Sequence, residues 1–204
     1  MSTVNQKIVS TYTEATPNPM TMKFVLNQML FPQNSADFPN PSDAEGVSAL
    51  ATALFSNYEW VKGVFIMNNF ITLTKKTEDE WFELIPEVRE FIRAYVAAEK
   101  PIIDLEKFQE QLATQPVNNS NEIAADDSET VIKIKELLKK YVQPAVEMDG
   151  GSIVFRSYNE GVVKLGMQGA CSGCPSSSVT LKAGIEGLLK RMMPEIKSVE
   201  AESL

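Results

Sequence analysis

Hydrophobic residues in the first 100 positions follow two different periods, which together predict an α+β domain. Alternation and β-branched content over Ile8 to Thr13 and over Met22 to Leu26 are typical of strands. Two further strands are predicted at Val61 to Met67 and at Phe70 to Thr74. Asn68-Asn69 lies between them, and because asparagine tolerates a positive φ, we expect a two-residue hairpin there.

Apolar residues at three- and four-residue spacing predict two helices in the same region. Leu50 and Leu54 share one face of a short helix. A longer helix over 81–96 is expected to begin at a capping box formed by Thr77 and Glu80. Pro86 lies inside this helix, and we expect it to kink the helix or to split off its first turns.

The last third of the chain predicts a second domain in the order helix, strand, strand, helix, strand. Its first helix should end at Pro144, because proline cannot continue the hydrogen-bond ladder. Glycine-containing turns at 149–151 and 159–161 bound the two strands of a hairpin. A long helix that Pro194 ends, followed by an edge strand from Ile196 to Val199, completes the pattern.

The segment between the two domains predicts a linker. Thr114 to Ser128 reads TQPVNNSNEIAADDS, which is too polar to bury the surface that would offset its ordering entropy. A short helix with Leu105, Phe108 and Leu112 on one face precedes it. We therefore expect two small α/β sandwich-like domains, 1–100 and 129–204, joined by a flexible acidic linker over 101–128. The alternative is a surface loop of one larger domain, which is uncommon at this length.

Composition excludes several functional classes. The chain has 204 residues, of which 44% are hydrophobic and 23% charged, as in an ordinary globular protein. Its net charge of −8 argues against bulk nucleic-acid binding, and no apolar run reaches the length of a membrane span. Met1 to Ser10 resembles neither a secretory signal nor a transit peptide, so we expect a cytoplasmic location with reduced thiols.

The candidate chemistry lies in a CxxC motif. The chain has 2 cysteines, Cys171 and Cys174, and no histidine, which excludes histidine-based zinc, haem and triad sites within the chain. Both cysteines fall in the predicted turn before the long helix, where free N–H groups and the helix dipole stabilise a thiolate. Gly169 and Gly173 let the backbone bend tightly there, and Pro175 suits a first helical turn.

Several readings of this CxxC motif stay open on residue chemistry alone. The two thiols could carry out dithiol–disulfide exchange, although a thioredoxin-like fold needs more strands after the helix than remain here. They could share a zinc ion with two cysteines of a second chain, or they could hold an iron–sulfur cluster. They could also be two buried cysteines with no functional role. Their common location in a Gly/Ser-rich turn argues against this reading.

Residues 129–200 resemble the C-terminal domain of NifU, also called the Nfu-type domain. The matching segments are Pro144-Ala145-Val146, Asp149-Gly150-Gly151, Gly161-Val162-Val163 with Leu165, and GACSGCPSS followed by Thr180-Leu181-Lys182 and Gly184-Ile185-Glu186. Residues 12–98 are similar to the N-terminal domain that precedes it in many Nfu proteins. There the matching segments are Thr16-Pro17-Asn18-Pro19, Lys23-Phe24, Leu54-Phe55, Gly63-Val64, Asn69-Phe70-Ile71-Thr72 and Trp81. Met20, Thr21 and Ser152 depart from the residues common in the family.

The resemblance implies a carrier or late scaffold for a 4Fe-4S cluster, and not an enzyme. Such proteins accept a cluster from a donor scaffold and pass it to apo iron–sulfur client proteins. Cys171 and Cys174 of two subunits would hold the cluster between them, in a homodimer or a higher oligomer, with 2Fe-2S as the alternative cluster. Backbone N–H groups near Gly173 and Ser176 to Ser178 could hydrogen-bond cluster sulfides, and ordinary helix capping is the other role for these serines. No nucleic acid or membrane is expected as a partner.

Overall fold

The computed structural model describes residues 8–114, 121–172 and 175–203, and the chain divides into two compact units. The first unit runs from Met1 to Gln109 and the second from Glu110 to Leu204. Each contains both helices and a sheet, which confirms the α+β class. Within the described ranges, no helix is at once long enough and apolar enough to cross a membrane.

The first unit is built on a five-stranded antiparallel sheet in the order β1-β2-β5-β4-β3. Its strands are β1 (Thr11–Ala15), β2 (Thr21–Leu26), β3 (Phe31–Phe38), β4 (Val61–Asn68) and β5 (Phe70–Lys75). The predicted hairpin between β4 and β5 is confirmed, with Asn68 at φ 47°. The sequence did not predict β3, because this edge strand contains Pro32 and few apolar residues, and a bulge interrupts its pairing with β4.

Helices cover one face of this sheet. They are α1 (Pro41–Ala44), α2 (Ala49–Asn57), α3 (Trp81–Ala97) and α4 (Leu105–Thr114). The three helices predicted from periodicity are confirmed, whereas α1 is too short to show a period. Large side chains from sheet and helices, among them Phe24, Leu54, Leu73 and Ile92, are fully buried together and form the core of the unit.

The capping box predicted at the start of α3 is wrong, and of the two effects predicted for Pro86 the split of the helix does not occur. The helix begins at Trp81 with Glu80 as its N-cap residue, so Thr77 lies too far outside the first turn to close a capping box. The Thr77 hydroxyl is buried and has no hydrogen-bond partner among the described residues. Pro86 does not split the helix, which runs without a break from Trp81 to Ala97.

The second unit has the predicted order of elements. A three-stranded sheet in the order β6-β7-β8 contains β6 (Gly151–Asn159), β7 (Val162–Gly169) and β8 (Ser198–Ser203). Its helices are α5 (Glu129–Leu137), α6 (Gln143–Met148) and α7 (Pro175–Met192). β6 and β7 form the predicted hairpin, and β8 pairs in parallel with β7, starting at Ser198 rather than at Ile196.

The first helical segment of this unit does not end at Pro144 as predicted. A five-residue π-helical turn, Leu138–Val142, joins α5 to α6, and the Gln143 amide donates to the Leu138 carbonyl. Pro144 then lies in the first turn of α6, where its missing N–H is tolerated. The wider π turn changes the hydrogen-bond ladder just before the proline, so the helical path continues to Met148.

Glu186 on α7 fixes that helix to the edge of the sheet. Its carboxylate accepts a hydrogen bond from the Val199 amide of β8 at 3.0 Å and another from the Lys190 ammonium at 2.5 Å. These two hydrogen bonds, chiefly that from Lys190, lower the pKa of Glu186. The link holds α7 in register with the sheet, and α7 is the helix that follows the CxxC motif.

The C-terminal half of the predicted flexible linker is bound to the second unit. The Asn121 side chain donates to the Ile153 carbonyl at 2.6 Å and accepts from the Phe155 amide at 2.7 Å, so it pairs with the outer edge of β6. Asp127 forms an ion pair with the buried Lys135 of α5. Residues 115–120 of the same predicted linker lie outside the described residues.

Candidate functional site

Cys171 lies in the turn that leaves β7. The Cys171 amide donates to the Gln168 carbonyl at 3.3 Å, and the Ser172 amide donates to the Gly169 carbonyl at 3.1 Å. Gly169 has φ 60°, a left-handed conformation that glycine adopts without strain, which confirms the tight bend predicted there. The chain therefore turns back on itself within four residues and brings Cys171 next to the start of β6.

Two backbone links fasten this turn to the neighbouring strand. The Ala170 amide donates to the Gly150 carbonyl at 3.2 Å, and Gly151 is the register partner of Gly169 in the β6–β7 pair. Gly151 also lies against the cysteine: a β-carbon added to it would be 2.6 Å from the Cys171 sulfur. The motif Asp149-Gly150-Gly151 thus forms one wall of the candidate site.

The Cys171 side chain is 6% exposed and belongs to the apolar core of the second unit. Core residues around it include Val146 on α6 and Ile153 on β6. An apolar setting limits access of water to the sulfur. Cys174 and Gly173 lie outside the described residues, as do the side chains of Ser176 to Ser178, so their predicted roles stay predictions.

The helix after the motif supplies a positive dipole end beside the turn. α7 runs from Pro175 to Met192, long enough for an aligned backbone dipole to act on a charge at its N-terminus. Pro175 is its first residue, which confirms the predicted place for this proline.

A small polar network lies behind the Gly151 wall. Ser152 is buried, and its hydroxyl accepts a hydrogen bond from the side-chain amide of Gln143 on α6 at 3.2 Å. Gln143 also donates to Glu147 at 2.9 Å and lies 3.5 Å from the Asn121 amide nitrogen. The network links α6 to the start of β6.

The described residues contain no group of three or more cysteine, aspartate or glutamate side chains that could together hold a metal ion. Thiolate is a soft ligand that suits iron–sulfur clusters and zinc.

Gly151 is the site residue whose part the sequence reasoning missed. Asp149-Gly150-Gly151 was interpreted as a turn, and a turn explains only Gly150, which has φ 83°. Gly151 has no left-handed φ, and its glycine is required by the space that Cys171 occupies. A second glycine at the first residue of a strand was the available signal, because glycine there often marks a close approach of other atoms.

Two family models match the chain, one in each unit. Residues 11–99 match the model described as scaffold protein Nfu/NifU N terminal, and residues 134–200 match the NifU-like domain. The second match includes both cysteines of the motif.

The chain is similar to longer curated proteins over nearly all of its length. A Drosophila sechellia protein named NFU1 iron-sulfur cluster scaffold homolog, mitochondrial, is 46% identical over 189 residues, or 92% of this chain and 63% of that protein. The Drosophila persimilis protein of the same name is 42% identical over 201 residues, or 98% of this chain and 67% of that protein. The chain thus spans 63% of the length of the first of these relatives.

Among solved structures, the solution structure of a NifU-like protein from Saccharomyces cerevisiae is 23% identical, with a TM-score of 0.45. The match covers 52% of this chain and 93% of that one.

The expected cytoplasmic location is wrong, because these relatives are named mitochondrial. The expectation relied on the character of residues 1–10. Since the chain spans only part of the length of its relatives, those residues carry no information about the compartment.

Proposed function

Because the chain belongs to the Nfu family, we propose that it is an iron–sulfur cluster scaffold that holds its cargo on the thiolates of Cys171 and Cys174. The observation that carries the proposal is the turn between β7 and α7. Cys171 follows the end of β7 and precedes the first residue of α7 by four positions, within the NifU-like domain. Cysteine thiolates are the usual ligands of such clusters, and the helix end favours the charged form that binds iron.

The number of cysteines sets the expected stoichiometry. A cluster with four thiolate ligands needs two copies of a chain that has 2 cysteines. The simplest arrangement is a homodimer with the cluster on its two-fold axis, and each subunit contributes Cys171 and Cys174. We propose 4Fe-4S as the cargo, with 2Fe-2S as the alternative that spectroscopy distinguishes.

Transfer to a client is ligand exchange. A client cysteine thiolate binds an iron atom as the thiolate of Cys171 or Cys174 leaves, so the cluster keeps its charge and its oxidation state. A cluster shared between two surfaces is easier to release than one enclosed by four ligands of a single core. The role needs affinity and access, and it needs no catalytic residue that makes or breaks a covalent bond in a substrate.

The first unit is proposed to recognise partners, which are the cluster donor and the apo clients. Its sheet lies within residues that match a separate family model, and the described part of this unit has no cysteine. Deletion of residues 1–109, the whole first unit, tests this role. We expect cluster loading from iron and sulfide to persist, while the transfer rate to at least one client falls.

Anaerobic reconstitution tests the central proposal. The purified chain is incubated with ferrous iron, sulfide and a reductant, and iron, sulfide and native mass are measured together. We expect about four iron and four sulfide per dimer, with the visible and Mössbauer spectra of a 4Fe-4S cluster. Cys171→Ala and Cys174→Ala should each abolish loading, while Ser172→Ala, in the same turn, should load like the wild type.

Other results would replace the proposal with one of its alternatives. A colourless protein with stoichiometric zinc from metal-supplemented cells would support a zinc site. Rapid reduction of a disulfide substrate with formation of a Cys171–Cys174 disulfide would support redox chemistry. A wild-type monomer without cluster, or a Cys171→Ala variant that loads normally, would contradict the scaffold proposal.

A further inference from the structure

Gly151 and Cys171 are packed so closely that no larger residue fits at position 151 in the present geometry. A β-carbon there would be 2.6 Å from the Cys171 sulfur, 2.6 Å from the Gln168 carbonyl oxygen and 2.9 Å from the Cys171 amide nitrogen. Contacts under 3.0 Å are essentially never made by real β-carbons. Alanine at this position would therefore force other atoms to move.

The requirement for glycine at 151 comes from space and not from backbone conformation. Gly150 and Gly169 have φ values of 83° and 60°, which other residues adopt only with strain, but Gly151 has no left-handed φ. Substitution by alanine consequently adds one methyl group without adding backbone strain. The effect of that change can be attributed to the atoms that the methyl group meets.

Those atoms cannot yield independently. Two of the three belong to the backbone, and the Cys171 amide is itself hydrogen-bonded to the Gln168 carbonyl. The Ala170 amide further ties the turn to Gly150. A methyl group on residue 151 must therefore displace the turn as a unit, and the sulfur moves with it.

We propose that Gly151 is a positioning residue for the Cys171 thiolate. By leaving out a side chain, it lets the sulfur rest against the first residue of β6 and fixes both the depth and the direction of the ligand. The inference rests on the proposed function, because the sulfur that Gly151 places is the proposed cluster ligand. The inference concerns the position of the Cys171 sulfur in the apo protein, and that position can be probed without a cluster.

Thiol reactivity in the full-length apo protein tests the position directly. In a Cys174→Ser background, a chromogenic disulfide reagent reports Cys171 alone, because the chain has 2 cysteines. We expect Gly151→Ala to raise the second-order rate by about tenfold or more, as the sulfur leaves its buried place. A folded Gly151→Ala variant that reacts at the wild-type rate would overturn the proposal.

Two glycine substitutions in the same unit provide matched controls. Gly184→Ala on α7 meets nothing within 4 Å and should leave the rate unchanged. Gly161→Ala combines a φ of 90° with a contact of 2.8 Å to the Glu195 carbonyl, so it destabilises the unit away from Cys171. If Gly161→Ala accelerated the reaction as much as Gly151→Ala, loss of stability would explain the rate, and the positioning role would be rejected.

A double-mutant cycle covers the case in which Gly151→Ala does not fold. Stability is measured by urea unfolding for Gly151→Ala in the wild-type chain and in a Cys171→Ala background, where the sulfur contact is gone. We expect Gly151→Ala to lower the folding equilibrium constant about tenfold less in the second background. Folding of Gly151→Ala only in the Cys171→Ala background would support the proposal, and equal losses of stability in both backgrounds would show that the sulfur is not what Gly151 accommodates.

Reconstitution then separates this inference from the proposed function. If the wild type loads a cluster, Gly151→Ala should bind one that a chelator removes at least about threefold faster, with Gly184→Ala unchanged. If the wild type takes up no cluster, the proposed function fails. The thiol rate and the double-mutant cycle still decide whether Gly151 sets the position of Cys171.

Discussion

The ammonium nitrogen of Lys135 lies 2.7 Å from a carboxylate oxygen of Asp127, and the two side chains are 1% and 7% exposed. Lys135 also donates to the Glu122 carbonyl at 2.8 Å and lies 5.4 Å from the centre of the Phe155 ring. A buried ammonium group is costly unless oxygen atoms surround it. The segment before α5 supplies those oxygens, and it is thereby bound to the second unit.

Acid should weaken this arrangement through Asp127. The hydrogen bonds from Lys135 and from the Ala124 amide lower the pKa of the Asp127 carboxyl below its ordinary value of about 3.9. The stabilisation is then complete above that ordinary value, and it is lost as the pH falls through the lower pKa of the folded state. We expect Asp127→Asn to lower the melting temperature of the second unit at pH 7, and this difference to be smaller at pH 3.

Calorimetry of the full chain from pH 7 to pH 3 measures the effect. Asp126→Asn is the matched control, because the neighbouring carboxylate is exposed and has no ion pair in the described structure. If the difference in melting temperature between the wild type and Asp127→Asn grew as the pH fell, the pKa of Asp127 would not be lowered in the folded state.

The side chain of Asn121 should protect one amide of the sheet edge. It accepts from the Phe155 N–H and donates to the Ile153 carbonyl, and β6 is an edge strand. Asn121→Ala removes both hydrogen bonds and should destabilise the unit by about 1–2 kcal/mol. The free energy that protects the Phe155 amide from hydrogen exchange should fall by a similar amount, so that exchange there becomes faster.

Asn121→Asp separates the two hydrogen bonds. The carboxylate still accepts from the Phe155 amide but no longer donates to the Ile153 carbonyl. We expect protection of the Phe155 amide to remain close to that of the wild type. Unchanged exchange in Asn121→Ala would show that the contact is absent in solution.

The pattern of hydrophobic positions was sufficient to predict most helices and strands and the turn that contains Cys171. The hairpin at Asn68-Asn69 and the helix after Pro175 follow from local chemistry that each segment contains within itself. The strand from Phe31 to Phe38 could not be predicted, because its neighbours in the sheet and not its composition stabilise it.

Residues whose role depends on a distant partner were also missed. Asp127 looked like part of a solvated acidic run, since nothing local indicates that Lys135 is buried. Gly151 looked like a turn glycine, although Cys171, twenty residues later, explains it. Pro144 looked like a helix end, because a π turn before a proline leaves no pattern in the sequence.

The two units should unfold separately, because each has its own apolar core. Leu73 is fully buried in the core of the first unit and Leu165 in that of the second. Leu73→Ala should cost about 2–5 kcal/mol and lower only the first unit's transition. Leu165→Ala should lower only that of the second unit by a similar amount, and Leu105→Ala, at an exposed position, should change neither by more than about 0.5 kcal/mol. A single transition that both core substitutions lower equally would contradict independent units.

The N-terminal limit of the second unit is tested by making the same substitution in two fragments of different length and comparing their melting temperatures. A fragment of residues 129–204 keeps the buried Lys135 but lacks Asp127 and the Glu122 carbonyl, whereas a fragment of residues 115–204 keeps both. We expect the shorter fragment to melt about 10 °C or more below the longer one, because it lacks the Asp127 carboxylate and the Glu122 carbonyl that pair with the Lys135 ammonium group. Lys135→Met should lower the melting temperature of the longer fragment, since it leaves Asp127 unpaired, and it should not lower that of the shorter fragment, which has no Asp127. Equal effects of Lys135→Met in both fragments would mean that residues 121–128 do not belong to the folded unit.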